Sequence, residues 1–373
     1  MKTILDKIIG KPITGVWGSE DTDGTGKFVL RTTNFTMEGI IDYNDIVKRN
    51  VTSKEIDSKY LKYGDIIIEK SGGSEKQPVG RVVYFEGAEK TFLFNNFTGV
   101  LRIGEKEKWH SKYIFYALYY NYLQGGTRFY QNKTTGLHNL KLAEYIQAFQ
   151  IEKKEFFEQE RMVKVLDKLR KIIALQKEQL KKLDEFIKSL FIEMFGDLEK
   201  NSKNWDEQFW QDIFYTKTGK LDSNAMVIGG KFPFFTCAKE QYWIDNYDFD
   251  CEALLLAGNN AAGVYDVKHY KGKFNAYQRT YIITLKNNDW KYEVFKYQLE
   301  NKLFYLKEQS KGSNTRYLTM TILNKLKFYI FPVPLQNQFA ERVTQIDKSK
   351  FEIKQSLEKL EILYKSLMQE YFG

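Results

Sequence analysis

The chain contains two copies of a long helical segment, and this repeat restricts the possible folds more than any other feature. In residues 152–196 and again in residues 334–373, apolar residues follow one another in alternating steps of four and three. This spacing is typical of a coiled-coil seam. The predicted seam residues are Met162, Leu166, Leu169, Ile173, Leu180, Leu183, Ile187 and Leu190 in the first copy, and Val343, Ile346, Ile353, Leu357, Leu360 and Leu367 in the second, with Gln176 and Lys350 as polar members.

Two short matches align the copies. Glu160-Arg161 matches Glu341-Arg342 at an offset of 181, and Phe195-Gly196 matches Phe372-Gly373 at an offset of 177. The difference of four residues predicts an insertion in one helix, which a coiled coil can absorb as a stutter. Because both copies lie in one chain, we expect them to pair with each other in antiparallel orientation. The alternatives are that each helix packs on its own domain, or that helices of two chains pair.

The segments before the two helices also match in order. In each, an apolar strand runs into a polar loop, at residues 65–73 and again at residues 252–260. Phe94-Asn95-Asn96-Phe97 then corresponds to Phe274-Asn275-Ala276-Tyr277, and an aromatic block predicted as a helix follows in both. The sequence therefore predicts two α/β (α+β) globular domains in pseudo-repeat, residues 1–151 and 197–333, joined by two long helices that form an intramolecular antiparallel coiled coil.

Composition narrows the classes of function. The chain has 57 Lys+Arg against 48 Asp+Glu, so its formal charge is +9, which favours an acidic partner such as nucleic acid. Two cysteines cannot form a disulfide framework, and neither a signal peptide nor a membrane-spanning run is recognisable. We therefore expect a cytoplasmic protein that does not enter a membrane.

No catalytic motif is evident. The chain has 5 prolines and none are adjacent, so the Asn/Asp-Pro-Pro-aromatic motif of amino-methyltransferases is absent. No Gly-Lys pair is followed by Ser or Thr, which excludes a standard P-loop. His110, His138 and His269 are far apart in sequence, without the spacing of paired metal ligands. We therefore expect neither a catalytic group nor a metal site.

Polar loops with basic residues, glycines and amides occur at matching places in the two halves. Such loops are usually solvated turns, but their recurrence favours DNA contact, since Lys and Arg bind phosphates while Asn, Gln and Arg can read base edges. The candidate DNA-binding residues of the first half are Arg31, Thr32, Asn34, Lys70, Ser71, Gly72, Gly73, Ser74, Lys76, Gln77, Arg81, Arg128, Asn132 and Lys133. Those of the second half are Asn259, Asn260, Lys268, Lys271, Lys273, Arg279, Lys311, Ser313, Asn314 and Arg316.

Taken together, these features resemble the specificity subunit of type I restriction-modification systems. The resemblance spans essentially the whole chain. It includes Arg31-Thr32-Thr33-Asn34, Tyr63-Gly64-Asp65-Ile66-Ile67-Ile68 and Phe331-Pro332-Val333-Pro334-Leu335 before the second helix. The chain departs from the family pattern at Phe149-Gln150-Ile151-Glu152, where the usual prolines before the first helix are missing.

The resemblance implies a non-catalytic DNA reader. Each globular half would be a target recognition domain for one half of a bipartite, asymmetric site in double-stranded DNA. The paired helices would set the spacing and dock two methyltransferase subunits, with restriction/translocase subunits joining the complex. S-adenosylmethionine, ATP and Mg²⁺ would then bind partner subunits, and this chain would bind no cofactor. Two alternatives stay open: a coiled-coil adaptor that does not read DNA, and a stand-alone DNA-modifying enzyme with unrecognised motifs.

Overall fold

The computed structural model describes residues 2–134, 137–260, 263–312 and 315–373. The chain divides into two compact units, of which the first comprises residues 1–176 and 356–373 and the second comprises residues 177–355. Each unit therefore contains one globular half together with part of each long helical segment. In the described ranges, no helix has both the length and the apolar character that a membrane span requires.

Both units combine helices with small sheets. The α-helices of the described chain are α1 (Ser53–Lys59), α2 (Ser111–Leu123), α3 (Leu142–Ala148), α4 (Phe156–Phe195), α5 (Trp210–Ile213), α6 (Tyr292–Asn301), α7 (Leu303–Gln309), α8 (Met320–Leu323) and α9 (Val333–Phe372). The strands of the first half are β1 (Lys2–Ile4), β2 (Ile13–Thr14), β3 (Ser19–Glu20), β4 (Lys27–Leu30), β5 (Val47–Asn50), β6 (Ile66–Glu69), β7 (Ser71–Gly73), β8 (Val82–Tyr84), β9 (Phe92–Phe94), β10 (Thr98–Leu101), β11 (Gln131–Thr134), β12 (Leu137–Leu140) and β13 (Gln150–Glu152). The strands of the second half are β14 (Asp206–Phe209), β15 (Phe214–Thr218), β16 (Phe232–Phe235), β17 (Tyr242–Ile244), β18 (Phe249–Ala257), β19 (Asn259–Asn260), β20 (Val267–Ala276), β21 (Thr280–Leu285), β22 (Arg316–Tyr317) and β23 (Lys327–Ile330).

The central sheet of the first half has the strand order β2-β10-β6-β8, with antiparallel neighbours. Strand β6 is apolar on both faces because both faces are covered. Ile66 and Ile68 pack in one core with α2, whereas Ile67 packs in a second core with Val83 and Phe94. A fully covered strand gains from an unbroken apolar run, which explains the Ile-Ile-Ile sequence.

The second half repeats this arrangement. Its larger sheet contains the order β15-β21-β18-β20, again antiparallel, and β18 occupies the place of β6. Leu254 and Leu256 pack in one core, while Ala253 and Leu255 pack in another. In both halves the first strand pairs with the strand just before the long helix, β1 with β13 and β14 with β23. The predicted pseudo-repeat of two globular domains is confirmed.

Helices α4 and α9 pair in antiparallel orientation within each unit. In the first unit, Met162 and Met368 share one core, and Nε2 of Gln176 donates a hydrogen bond to Oγ of Ser356 over 2.9 Å. In the second unit, the rings of Phe191 and Phe339 lie 5.3 Å apart. Every predicted seam residue is buried or half-buried, so the prediction of the seam is confirmed.

The predicted stutter is wrong. Helices α4 and α9 both have 40 residues, and both their first and their last residues differ by 177. One offset therefore aligns the two seams throughout, and the Glu-Arg match at an offset of 181 is coincidental. Helix α4 begins at Phe156 rather than at residue 152, because the chain up to Glu152 still pairs with β1.

A fully buried glutamine ties the start of each long helix to its globular half. Oε1 of Gln159 accepts a hydrogen bond from the backbone N–H of His110, the residue that precedes α2. Oε1 of Gln336 likewise accepts from the N–H of Lys291, which precedes α6, and its Nε2 donates to the carbonyl of Phe331. Each glutamine thus satisfies backbone groups that would otherwise be buried without partners.

We predict that Gln336→Ala lowers the free energy of unfolding by about 2–4 kcal/mol, because it leaves a backbone N–H and a carbonyl unsatisfied. Gln338→Ala is the matched control, since Gln338 is exposed on the same helix, and should change stability by less than about 0.5 kcal/mol. Urea unfolding of the two variants gives the comparison. Equal stability of both would contradict the role assigned to Gln336.

Candidate nucleic-acid interface

In the first half, the fold brings the two predicted polar loops together. Strand β7 pairs with β12, and β12 pairs with β11, so the segment after β6 and the segment around Asn132 belong to one sheet, on either side of β12. Oγ of Ser71 on β7 donates a hydrogen bond over 2.5 Å to Oδ1 of Asn139 on β12. Gly72 has a φ of +109° and is exposed, a conformation that favours glycine. The result is a small polar surface, which we call surface 1 and define as residues 70–77 with 128–132.

A tight turn completes this surface. The N–H of Ser74 donates to the carbonyl of Gln77, and the N–H of Gln77 donates to Oγ of Ser74. Gly73 is buried beneath the turn, where a Cβ atom would lie 2.6 Å from Cγ1 of Val79. The turn leaves Lys76 exposed, and Arg128 and Asn132 are exposed as well.

The second half forms a corresponding surface at the equivalent place. Strand β19, which follows β18 as β7 follows β6, pairs with β22. The N–H of Gly258 donates to the carbonyl of Arg279, as that of Lys70 donates to the carbonyl of Phe97 in the first half. Asn259, Arg279 and Tyr317 line one shallow depression. We call this surface 2 and define it as Asn259, Asn260, Arg279, Lys311, Arg316 and Tyr317.

Both surfaces carry the chemistry that nucleic acids require. Lys76 and Arg128 on surface 1, and Arg279 and Lys311 on surface 2, are exposed cations that can neutralise phosphates. Amides lie beside them, and amides can pair with base edges in the major groove. Burial lowers the pKa of Lys70, and the nearby charge of Lys59 adds to this effect.

The structure corrects the prediction for Arg81. Its guanidinium makes four hydrogen bonds, two to the carboxylate of Glu69 and one each to the carbonyls of Phe35 and Thr32. The side chain of Arg81 is 12% exposed and that of Glu69 is 2% exposed. Arg81 therefore holds the sheet to the segment that contains Thr32, and it is a structural residue rather than a DNA-binding one.

The Arg31-Thr32-Thr33-Asn34 segment is also structural. Asn34 is 2% exposed, and its Nδ2 donates to the carbonyls of Asp42 and Asp45. The guanidinium of Arg31 forms an ion pair with Asp45 at 2.9 Å. These contacts hold the segment in a short 3₁₀ helix, Thr32–Asn34, in which Asn34 is buried and Thr32 is half-buried.

In the second half, the candidate residues Lys268, Lys271 and Lys273 lie on a strand and not in a loop. Residues 268–273 belong to β20, which pairs with β18 in the central sheet. Nζ of Lys268 donates to the carbonyl of Ala238, Lys271 forms an ion pair with Glu252, and Lys273 lies over the ring of Tyr247. Lys271 and Lys273 pair toward the end of β18 opposite to Asn259, so the structure separates them from surface 2.

Some of the candidate DNA-binding residues lie outside the described parts of the chain. Ser313 and Asn314 lie outside the described residues, as does the side chain of Lys133. Nearby, Arg316 is half-buried and donates through one guanidinium nitrogen to the carbonyl of Lys307.

Sequence reasoning missed some residues of these surfaces. Phe129 is 89% exposed beside Arg128, and Asn139 is the partner of Ser71. Aromatic exposure cannot be read from sequence, because most aromatic residues here are in cores. The partner of Ser71 becomes evident only from the pairing of β7 with β12.

Part of the chain matches a known protein family. Residues 202–362 match a family described as type I restriction modification DNA specificity domain. This stretch of the chain is similar to a type I DNA specificity domain. The matched residues include surface 2 and most of α9, and the resemblance predicted from the sequence is confirmed.

Two known proteins extend this result. A stretch of 156 residues is 33% identical to the type I restriction enzyme EcoDI specificity subunit of Escherichia coli; it covers 41% of this chain and 34% of that protein, about a third of its length. The crystal structure of a type I restriction-modification system S subunit from M. genitalium covers 100% of this chain and 96% of its own, with a TM-score of 0.70 and 17% identity. The latter shows that the whole chain, including the half outside the matched specificity domain, shares its fold.

We predict that Arg81→Met destabilises the protein by about 3 kcal/mol, because it leaves the buried carboxylate of Glu69 without its partner. Arg128→Met removes the same charge from an exposed position and should alter stability by less than about 0.5 kcal/mol. Thermal unfolding distinguishes the two. If Arg128→Met were the more destabilising, the assignment of Arg81 as a structural residue would be incorrect.

Proposed function

We propose that this chain is the DNA-recognition subunit of a type I restriction-modification complex, and that each globular half reads one half of a bipartite, asymmetric site in double-stranded DNA. The observation that carries the proposal is the recurrence of one polar surface at the same place in both halves. Surfaces 1 and 2 follow equivalent strands, β6 and β18, but have different side chains. Two readers of different base sequences would differ in this way.

The paired helices are proposed to set the spacing between half-sites and to dock two methyltransferase subunits. Large apolar side chains on the outer sides of the helices support docking, since isolated coiled coils keep such positions polar. In the first unit, Leu175 and Ile362 are 54% and 61% exposed. In the second unit, Phe186 and Phe351 are 54% and 60% exposed.

The chemistry of the complex is assigned to the partners. We propose that methyltransferase subunits bind S-adenosylmethionine and modify adenine, that restriction/translocase subunits use ATP and Mg²⁺, and that this chain is non-catalytic. The absence of Pro-Pro and P-loop motifs from the sequence supports this division. The proposed setting is the cytoplasm, in keeping with the free thiols of Cys237 and Cys251.

The first experiment is co-expression of this chain with a cognate adenine methyltransferase subunit, followed by mapping of methylated adenines across the host genome. The proposal expects methylation at one split, asymmetric motif that disappears when this chain is omitted. Methylation that is unchanged despite a stable complex would favour the coiled-coil adaptor. Methylation by this chain without a partner would favour the stand-alone enzyme.

Neutralising one surface should impair one half-site. We predict that Lys76→Gln with Arg128→Gln relaxes discrimination at one half of the motif, and that Arg279→Gln with Lys311→Gln relaxes the other half. Each pair removes two charges and should reduce the slope of log K against log salt by about 2. Binding of mutated DNA sites at several salt concentrations gives both values. Equal loss at both half-sites in either variant would contradict modular reading.

Lengthening both helices together should change the spacing alone. We predict that one heptad inserted after Gln176 in α4 and one inserted after Gln355 in α9 moves the half-sites apart by about 10 Å, or about three base pairs. Seven residues preserve the phase of the seam. The same insertion in α4 alone is the control, because it shifts the seam out of register and should destabilise the pair. A changed half-site sequence in the double insertion would rule out the spacer role.

A further inference from the structure

A polar junction lies between the central sheet of the second half and the start of α6. Glu252 on β18 and His269 on β20 belong to neighbouring strands, and Glu293 is in the first turn of α6. One oxygen or nitrogen atom from each of these side chains lies within 4.8 Å of the other two. Nε2 of His269 is already 2.9 Å from Oε1 of Glu252. Three half-buried groups of metal-binding chemistry therefore meet at one point.

The fold places a lysine at the same junction in the first half. Tyr84 is the counterpart of His269. Tyr84 pairs with Ile66 of β6, and His269 pairs with Leu254, the equivalent residue of β18. Lys112 is the counterpart of Glu293, because each is the second residue of its helix. Nζ of Lys112 lies 2.6 Å from Glu86, 2.8 Å from Asp167 and 5.2 Å from the ring centre of Tyr84. A fixed positive charge thus holds this junction together.

The charges are reversed in the second half. The acid Glu293 takes the place of Lys112. Conversely, Lys271 takes the place of Glu86, because each lies two residues after the counterpart residue on its strand. Lys271 pairs with Oε2 of Glu252 at 2.9 Å, but its side chain is 78% exposed. The carboxylates of Glu252 and Glu293 therefore lie close together, and the cation that pairs with Glu252 is on the exposed side.

We propose that Glu252, His269 and Glu293 bind one divalent transition-metal ion of the zinc type. One imidazole with two carboxylates is a ligand set that zinc accepts, at about 2.1 Å from each ligand atom. Two ligands of a tetrahedral ion then lie about 3.4 Å apart, so small side-chain rotations bring this cluster to coordination distance. The ion supplies the positive charge that Lys112 supplies in the first half.

The surroundings leave room for the remaining coordination position. His269 and Glu293 line a cavity of about 620 Å³, and Lys296 and Asn301 line the same cavity. A water molecule from this cavity can complete the coordination. The spacing of the histidines in the sequence predicted no metal site, because the three ligands come from two strands and a helix that are adjacent only in the folded chain.

The test uses the full chain and ZnCl₂ alone. After dialysis against zinc and then against buffer, metal analysis is expected to find one zinc per chain, and Co²⁺ in place of zinc should give visible absorption bands. Because an ion that binds only the folded state stabilises it, saturating zinc should raise the midpoint of thermal unfolding by about 4 °C or more over the value in EDTA.

Matched variants separate coordination from folding. Glu293→Gln and His269→Gln should each weaken zinc binding by at least about 10-fold. Glu300→Gln changes the same type of residue on the same helix, lines the same cavity and should bind zinc as the unaltered chain does. Lys271→Gln should bind zinc more tightly, because it removes the cation that competes for Glu252, and a merely damaged fold would not give this gain.

The outcomes are distinct. Less than one zinc per chain, or zinc binding that Glu293→Gln and Lys271→Gln both leave unchanged, overturns the proposal. If His269→Gln failed to fold, the zinc affinities of Glu293→Gln and Lys271→Gln would still decide whether the site binds zinc. The result is also independent of whether the chain reads DNA.

Discussion

The positions of surfaces 1 and 2 depend on how a long helix is joined to a globular half, and one buried glutamine makes that joint in each half. Gln159 and Gln336 bind the backbone at the start of α2 and α6, respectively. Since α2 packs on the strand sheet through Tyr113 and its neighbours, the direction of the long helix follows from the orientation of the sheet. Because glutamine is uncharged, it links the long helix to the globular half without burying a charge between them.

The apolar seam then decides which helix segments meet, but apolar contacts alone do not define a unique register. A seam of Leu and Ile can slide by one heptad at modest cost. The polar members resist this sliding. Gln176 donates a hydrogen bond to Ser356 in the first unit, and Lys350 forms an ion pair with Asp184 in the second unit. Each partner would be lost in a shifted register, so these residues contribute specificity even though they add little to stability.

Local patterns in the sequence were sufficient to predict the seam and the buried strands, because burial there is repeated at regular intervals along the chain. The stutter was wrong because Glu-Arg pairs are common in charged helices, and a single dipeptide match carries little information. The role of Arg81 could not be predicted either. Its partner Glu69 is on the opposite side of the turn, and the two meet only when β6 and β8 pair. The predicted contacts of surfaces 1 and 2 with DNA stay predictions.

The opposite charges at the two sheet–helix junctions have a consequence for how such a chain can evolve. Lys112 faces Glu86 in the first half, whereas in the equivalent positions Glu293 stands near Lys271. Recombination between the halves at a point between strand and helix would place two acids, or two lysines, against each other. Exchanges that keep each strand with its own helix avoid this repulsion. Each half is therefore expected to be inherited as an undivided block, even though the halves share one fold.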